Sequence, residues 1–263
     1  MGSATRKALA GTHATLAALG RADLQVAEDL LAAGRVIGSS RQLRSALTDS
    51  EADPAQKRVL VEAVFGSRLT SDAIKLLTDL ASNRWSDPAD LLEGIEELGL
   101  RVASESARDV PLDAELFTIG RAVASDSELE FALGSKLSPA TSKMQIVDRL
   151  LGGKASPQTV AIVGHLVQQP RGRRIGELLR NAADVVAEQR GFEIATVTSA
   201  SPLSAAQLDR LVRGLEVQYG RPLRANTIVD PAVLGGVRVQ IGDDVIDGSV
   251  ASRLSSLRQK LAG

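Results

Sequence analysis

Val229-Asp230-Pro231-Ala232-Val233-Leu234-Gly235-Gly236-Val237-Arg238-Val239-Gln240-Ile241-Gly242-Asp243-Asp244-Val245-Ile246-Asp247-Gly248-Ser249 is the stretch that decides the class of fold. Ile228 and Val229 suggest a strand stopped by Asp230-Pro231, since proline has no N–H to give a sheet ladder. Val237, Val239 and Ile241 alternate with Arg238 and Gln240, the period-two pattern of a half-buried strand. Gly242-Asp243-Asp244 reads as a tight turn into Val245-Ile246. Asp247-Gly248-Ser249 then reads as the cap of a final helix with Val250, Leu254, Leu257 and Leu261 on one side. Upstream, Phe192, Ile194 and Val197 mark a strand running into Ser199-Ala200-Ser201-Pro202. Ser204 with Gln207 makes a capping box for a helix that aligns Leu208, Leu211, Val212, Leu215 and Tyr219 and stops at Gly220. Strand, helix, strand and hairpin predict a small α/β domain over residues 191–263.

Before Gly191 the period changes to that of helices. Leu60, Val61, Val64 and Phe65 share one helical face ended by Gly66. Thr70-Ser71-Asp72 offers an N-cap before Ile74, Leu77 and Leu80, and Ser156-Pro157 one before Val160, Val163 and Leu166. Shifted by 86 residues, the first helical stretch falls on the second without gaps. Gly34-Arg35 meets Gly120-Arg121, Ala46-Leu47 meets Ala132-Leu133, Lys57 meets Lys143 and Gly66 meets Gly152. The apolar register agrees in the same frame, through Leu60/Ile146, Phe65/Leu151, Ile74/Val160 and Leu77/Val163. A tandem duplication over 34–83 and 120–169 accounts for this; two copies are fewer than a solenoid needs. The expected fold is α+β and multidomain: an all-α bundle in two copies, 1–107 and 108–190, then the α/β domain.

Composition narrows the function. Of 263 residues 44% are hydrophobic and 24% charged, ample for a packed core. Aromatics are 2% and the net charge is -1, which argues against base stacking and phosphate tracking and so against a nucleic-acid partner. Cysteine is absent, removing disulfides, thiolate nucleophiles and cysteine metal sites, and the two histidines, His13 and His165, are far apart in sequence. No apolar run approaches the roughly 20 residues that span a bilayer, and the basic start lacks the apolar core of a secretory signal.

The remaining motifs favour structure over chemistry. Gly152-Gly153-Lys154 lacks the spacing of a phosphate loop and reads as a helix-ending turn. Asp243, Asp244 and Asp247 do not match a calcium loop; a turn and a cap account for them. Gly235-Gly236 lacks the third glycine of a dinucleotide fingerprint. His165 sits between apolar positions and reads as a packed or surface histidine, and Arg171, Arg173 and Arg174 with Lys154 as a solvated basic face. Ser249 has no histidine near it in sequence, and capping explains it. No catalytic residues, metal ligands or cofactor site are expected.

Val197 through Ser204, Val229-Asp230-Pro231, Leu234-Gly235-Gly236-Val237-Arg238-Val239, Ile241-Gly242-Asp243, Ile246-Asp247-Gly248-Ser249-Val250 and Arg253-Leu254, taken in order, resemble the C-terminal domain of the delta subunit family of F-type ATP synthases, also called the oligomycin-sensitivity-conferring protein family. Within that pattern Asp230, Pro231, Gly235, Gly236, Gly242, Asp247, Gly248 and Ser249 are structural. The helical part resembles the family's N-terminal bundle at Lys7-Ala8-Leu9, at Lys57 heading the Leu60–Phe65 helix and at the Ile74–Leu80 helix. The chain departs from the pattern by its length, which the duplication explains, and by lacking an aromatic residue before Lys7.

The resemblance implies a non-catalytic stator subunit. It would link the catalytic head, through the N-terminal helices of alpha subunits, to the b-type subunit of the peripheral stalk. It would sit at the cytoplasmic face of the cell membrane and touch the membrane only through the complex. In the family an amphipathic helix lies between the first and fifth helices, here about 4–19 and 71–82. Ala8, Thr12 and Leu16 on one side and Ile74, Leu77 and Thr78 on the other are then the expected walls. Two other readings stand beside this one: a soluble helical adaptor unrelated to ATP synthesis, and a hydrolase using the acidic turn near Asp243 and Asp247.

Overall fold

The helical part of the chain folds into eleven helices in the computed structural model, which describes residues 2–248. They are α1 (Ser3–Leu19), α2 (Leu24–Ser39), α3 (Arg41–Thr48), α4 (Pro54–Phe65), α5 (Ser71–Ser82), α6 (Pro88–Ser106), α7 (Leu112–Ser125), α8 (Ser127–Gly134), α9 (Ala140–Leu151), α10 (Pro157–Gln168) and α11 (Ile175–Gln189). Thr70 accepts a hydrogen bond from the Ala73 amide and Ser156 from that of Thr159, as their sequences predict. Asp23, Ser40, Asp53, Asp87 and Asp126 cap their helices in the same way, with Pro54 and Pro88 at first helical positions.

The centre of this unit is α6. Leu91, Leu92, Ile95, Leu98, Leu100, Val102 and Ala103 point around most of its circumference and all are buried, and a helix apolar on every side belongs inside a core. It packs against α1, α2, α3, α5 and α10, drawn from both sides of residue 107. Residues 1–107 and 108–190 therefore share one core instead of forming two bodies. Met1–Val186 is a single compact unit, and the next begins at Ala187, within α11.

The 86-residue offset recurs in the helix bounds. Displaced by that amount, α3, α4 and α5 coincide at both ends with α8, α9 and α10, and α1, α2 and α6 fall on α6, α7 and α11. Buried apolar positions keep step: Leu30 with Leu116, Ile37 with Val123, Leu47 with Leu133, Val61 with Val147, Leu80 with Leu166. So do polar details. The Thr70 amide donates to Asp29 Oδ2 at 2.7 Å, and the Ser156 amide to Glu115 Oε2 at 3.0 Å. Lys57 and Lys143 are each 4% exposed, and burial lowers both their pKa values. Gly66 donates to Glu62 O and Gly152 to Asp148 O; at either glycine a Cβ would stand 2.5 Å from that oxygen, so no other residue fits without a shift.

The second unit, described to Gly248, is built on a four-stranded sheet. Its strands are β1 (Glu193–Ser199), β2 (Leu223–Val229), β3 (Val237–Ile241) and β4 (Asp244–Asp247), with α12 (Ala205–Tyr219) between β1 and β2. The order is β2-β1-β3-β4; β1 pairs parallel with β2 and antiparallel with β3, and β4 is antiparallel to β3. A parallel pair needs a crossover, and α12 supplies it with its capping box at Ser204 and Gln207 in place. Leu208, Leu211, Val212 and Leu215 of α12 pack on Ala195, Val197, Leu223, Val239 and Ile241. The expected terminal helix, with Ser249, Val250, Leu254, Leu257 and Leu261, lies outside the described residues. Asp247 is the last residue of β4 rather than part of a loop.

Candidate functional site

The two helices expected to form the groove, α1 and α5, do pack against each other. Ala8, Thr12, Leu16 and Leu77 are nevertheless 1%, 1%, 5% and 0% exposed, while Ile74 and Thr78 are half-buried. Four of the six expected wall residues thus fill the bundle in the chain as it stands. The reason is geometric: residues at i, i+4 and i+8 mark the inward face of a helix whether or not a partner lies beside it. Thr12 meets its own polar need by donating to Ala8 O at 2.9 Å. Thr5 bonds to Asp90, and the His13 ring lies 3.0 Å from Glu97 Oε1, so this flank of α1 is tied to α6. Two residues back from His13, Gly11 lies about 200° round the helix, where an added Cβ meets nothing within 4 Å. On α5, Thr78 Oγ1 and Asp79 Oδ2 are buried without a hydrogen-bond partner.

A cluster that sequence reasoning missed lies where α2, α6 and α10 meet. Glu96 of α6 is 4% exposed. Its carboxylate accepts from Arg171 Nη2 at 2.8 Å and from Arg173 Nη2 at 2.9 Å. Both arginines lie on the loop between α10 and α11, and Arg171 adopts a left-handed φ of 49°. Two members of the supposed solvated patch are therefore turned inward on a buried charge, while Lys154 and Arg174 are exposed. His165 of α10, 2% exposed, stands beside them. Arg35 Nη1 lies 3.2 Å from His165 Nδ1, and since a guanidinium only donates, Nδ1 must accept. The ring proton then sits on Nε2, which faces Glu96 Oε2 at 3.6 Å. Burial opposes ionisation of Glu96, but the neighbouring His165 ring and the charges of Arg171 and Arg173 outweigh it and hold the carboxyl below its usual range. Burial also lowers the pKa of His165, against the pull of Glu96. A glutamate on the helical face of Leu92, Ile95 and Gly99, opposite in kind to its apolar neighbours there, was the available signal.

In the sheet unit the motif residues shape turns. The Asp230 amide donates to Ser199 O, and Asp230 Oδ1 accepts from the Ala232 amide, closing the turn around Pro231. Gly235 and Gly236 have φ of 72° and 79°, and Gly242 55°, values that side chains oppose. Gly242-Asp243 is a two-residue hairpin loop with Ile241 opposite Asp244. Gly248 donates to Val237 O at 3.0 Å, extending the ladder beyond Asp247.

These polar groups fasten helix to helix and strand to strand, which defines a structural class of protein. A family model for the "ATP synthase delta (OSCP) subunit" matches residues 100–261, from within α6 through the sheet unit. The ATP synthase subunit delta of Leifsonia xyli subsp. xyli is 55% identical over 265 residues, covering 100% of both chains. That of Streptomyces griseus is 38% identical over 271 residues, again over 100% of both, and that of Kineococcus radiotolerans 41% identical over 90% of this chain and 87% of its own. The chain belongs to the ATP synthase delta (OSCP) subunit family, and with it to the non-catalytic stator subunits of F-type ATP synthases. The readings as an unrelated adaptor and as a hydrolase give way to this.

Proposed function

We propose that the outer surface of α1 and α5 grips the amphipathic N-terminal helix of an alpha subunit, while the sheet unit meets the b-type subunit of the peripheral stalk. The complex would hold the chain at the cytoplasmic face of the cell membrane; no described helix is long and apolar enough to cross one. We also infer that α1–α5 and α6–α10 descend from one duplicated element, on the strength of matching helix bounds, the paired caps at 40/126 and 70/156, and matching buried groups.

One observation carries the choice of the first copy. Ala10, Ala14, Ala17 and Ala18 of α1 are exposed, whereas their counterparts on α6, Glu96, Leu100, Ala103 and Ser104, are buried. The same helix is open in one copy and enclosed in the other. A surface of small residues lets a partner helix approach closely, and an apolar stripe can fill it. The family model covers the second copy, so the test must discriminate between them.

Because the copies share a core, the test uses point variants of the full chain rather than deletions, and it avoids Ala8, where a large side chain would overpack the bundle. A synthetic alpha-subunit N-terminal helix is titrated by calorimetry against the unmodified protein, Gly11→Trp and Ile74→Glu. Trp85, whose indole donates to Leu80 O at the end of α5, gives an emission signal in the unmodified protein. Both variants should weaken binding at least about tenfold. Unchanged affinity in both, with loss in Val160→Glu on α10, would move the site to the second copy.

A further inference from the structure

The two polar atoms left unpaired on α5 bear on what the partner helix must carry. Among the described residues, the buried side-chain atoms with no hydrogen-bond partner are Thr78 Oγ1, Asp79 Oδ2 and Asn226 Nδ2. Two of the three are on consecutive residues of the surface proposed to grip a helix. Folded proteins leave few buried polar atoms unpaired, because each forfeits its bonds to water without replacement. Both residues are only half-buried, so part of each side chain, though not the two unpaired atoms as they stand, is open to a group arriving from outside. The last torsion of an aspartate is broad, so a modest rotation can present the Asp79 carboxylate to such a group.

The second copy shows how that position is satisfied when a helix lies against it. The counterparts of Thr78 and Asp79 are Gly164 and His165. His165 receives Arg35 Nη1 at 3.2 Å from α2. On α2, Gly34 beside Arg35 allows close approach: a Cβ there would stand 3.1 Å from Ile95 of α6 and 3.8 Å from His165. A small residue followed by an arginine thus lets one helix lie close and deliver a cation to this position of the fifth helix. In the first copy the position holds a carboxylate, a better acceptor for a cation than a neutral imidazole.

We infer that Asp79, with Thr78 beside it, receives an arginine or lysine side chain from the helix that docks along α1 and α5. This rests on the proposed groove. It adds to that reading a selective polar contact, set in a surface otherwise recognised by shape and apolar area. The cost of the unpaired Asp79 Oδ2 in the free chain is then reduced in the complex. Asp79→Asn should accordingly leave the free chain as stable as before, or more so, while weakening the complex.

The experiment is a double-mutant cycle on the full chain. Unmodified protein and Asp79→Asn are titrated with the synthetic alpha-subunit helix and with peptides in which each Arg or Lys is changed singly to Gln. Asp79→Asn should weaken binding about tenfold without lowering the melting temperature of the free protein. One peptide substitution should weaken the unmodified protein to a similar extent yet cost Asp79→Asn little more. The inference is overturned if Asp79→Asn binds every peptide as the unmodified protein does, or if its loss adds independently to that of every cation. If Gly11→Trp and Ile74→Glu still abolish binding in that case, the groove stands and only the polar contact falls. If they do not, the groove falls as well.

Discussion

Helices α1–α5 and α6–α10 have the same skeleton and different outer faces. The skeleton is kept in small things: a carboxylate at 29 or 115 on the amide at 70 or 156, a lysine at 57 or 143 buried to the same degree, a glycine at 66 or 152 that alone fits. They part on the faces that meet different neighbours. Ala10 is exposed and its counterpart Glu96 anchors an ion cluster; Trp85 corresponds to Arg171 and Asp87 to Arg173. Some groups that end helices are kept, as at 40/126 and 70/156, while the caps at Asp53 and Asp87 give way to Pro139 and Arg173. Groups that meet a neighbour change with the neighbour. Glu96 of the second set is enclosed where Ala10 of the first is open, and the charges around it face inward.

The sharpest way to break this comparison is at positions 10 and 96. Glu96→Ala strands Arg171 and Arg173 around an empty site, and should cost about 3–5 kcal/mol in urea unfolding. Ala10→Glu, the same exchange reversed at an exposed position, should stay within about 0.5 kcal/mol. Comparable losses would mean that α1 is enclosed as α6 is.

A smaller effect separates the two N-cap clamps. Glu115 accepts from the Ser156 amide and hydroxyl and from Thr159, whereas Asp29 accepts from the Thr70 amide and from Gln25 on its own helix. Glu115→Ala should cost about 2 kcal/mol and Asp29→Ala about 1 kcal/mol, read from thermal unfolding of the full chain. The reverse order would show that the count of bonds does not set the cost.

The smallest effect is in the pH dependence. His165 has its pKa lowered from 6.5, chiefly by burial, so between that value and its folded one the unfolded chain binds the extra proton. Stability therefore falls with acidity from about pH 6.5 downward. Glu96, also lowered, adds its own loss below its usual 4.5, as pH falls through its folded value. His165→Gln should flatten the first part of the curve and leave the second. A slope unchanged between pH 6.5 and 5 would place the proton uptake elsewhere.

What could be read in the sequence was whatever depends on neighbours along the chain. The capping box at Ser204, the caps at Thr70 and Ser156, the alternation in β3 and the turn at Gly242 are local, and they appear where the residues place them. What could not be read was which side of a helix meets which partner. Ala8, Thr12 and Leu16 form an apolar stripe either way, and only packing shows that it faces the core. The arginines after Pro170 look solvated until a glutamate 75 residues earlier is brought to them. The offset of 86 residues was legible, but not that α6 would stand in both sets.

That shared helix bears on stiffness. Had the extra residues been a second bundle on a linker, the stator would have gained a joint, and joints yield under torque. With α6 serving as the sixth helix of one set and the first of the next, a displacement of either set must compress or shear a close-packed interior, and such interiors give very little. A second set of helices that shares α6 with the first is therefore stiffer than a separate bundle, and it needs five further helices, α7–α11, rather than six.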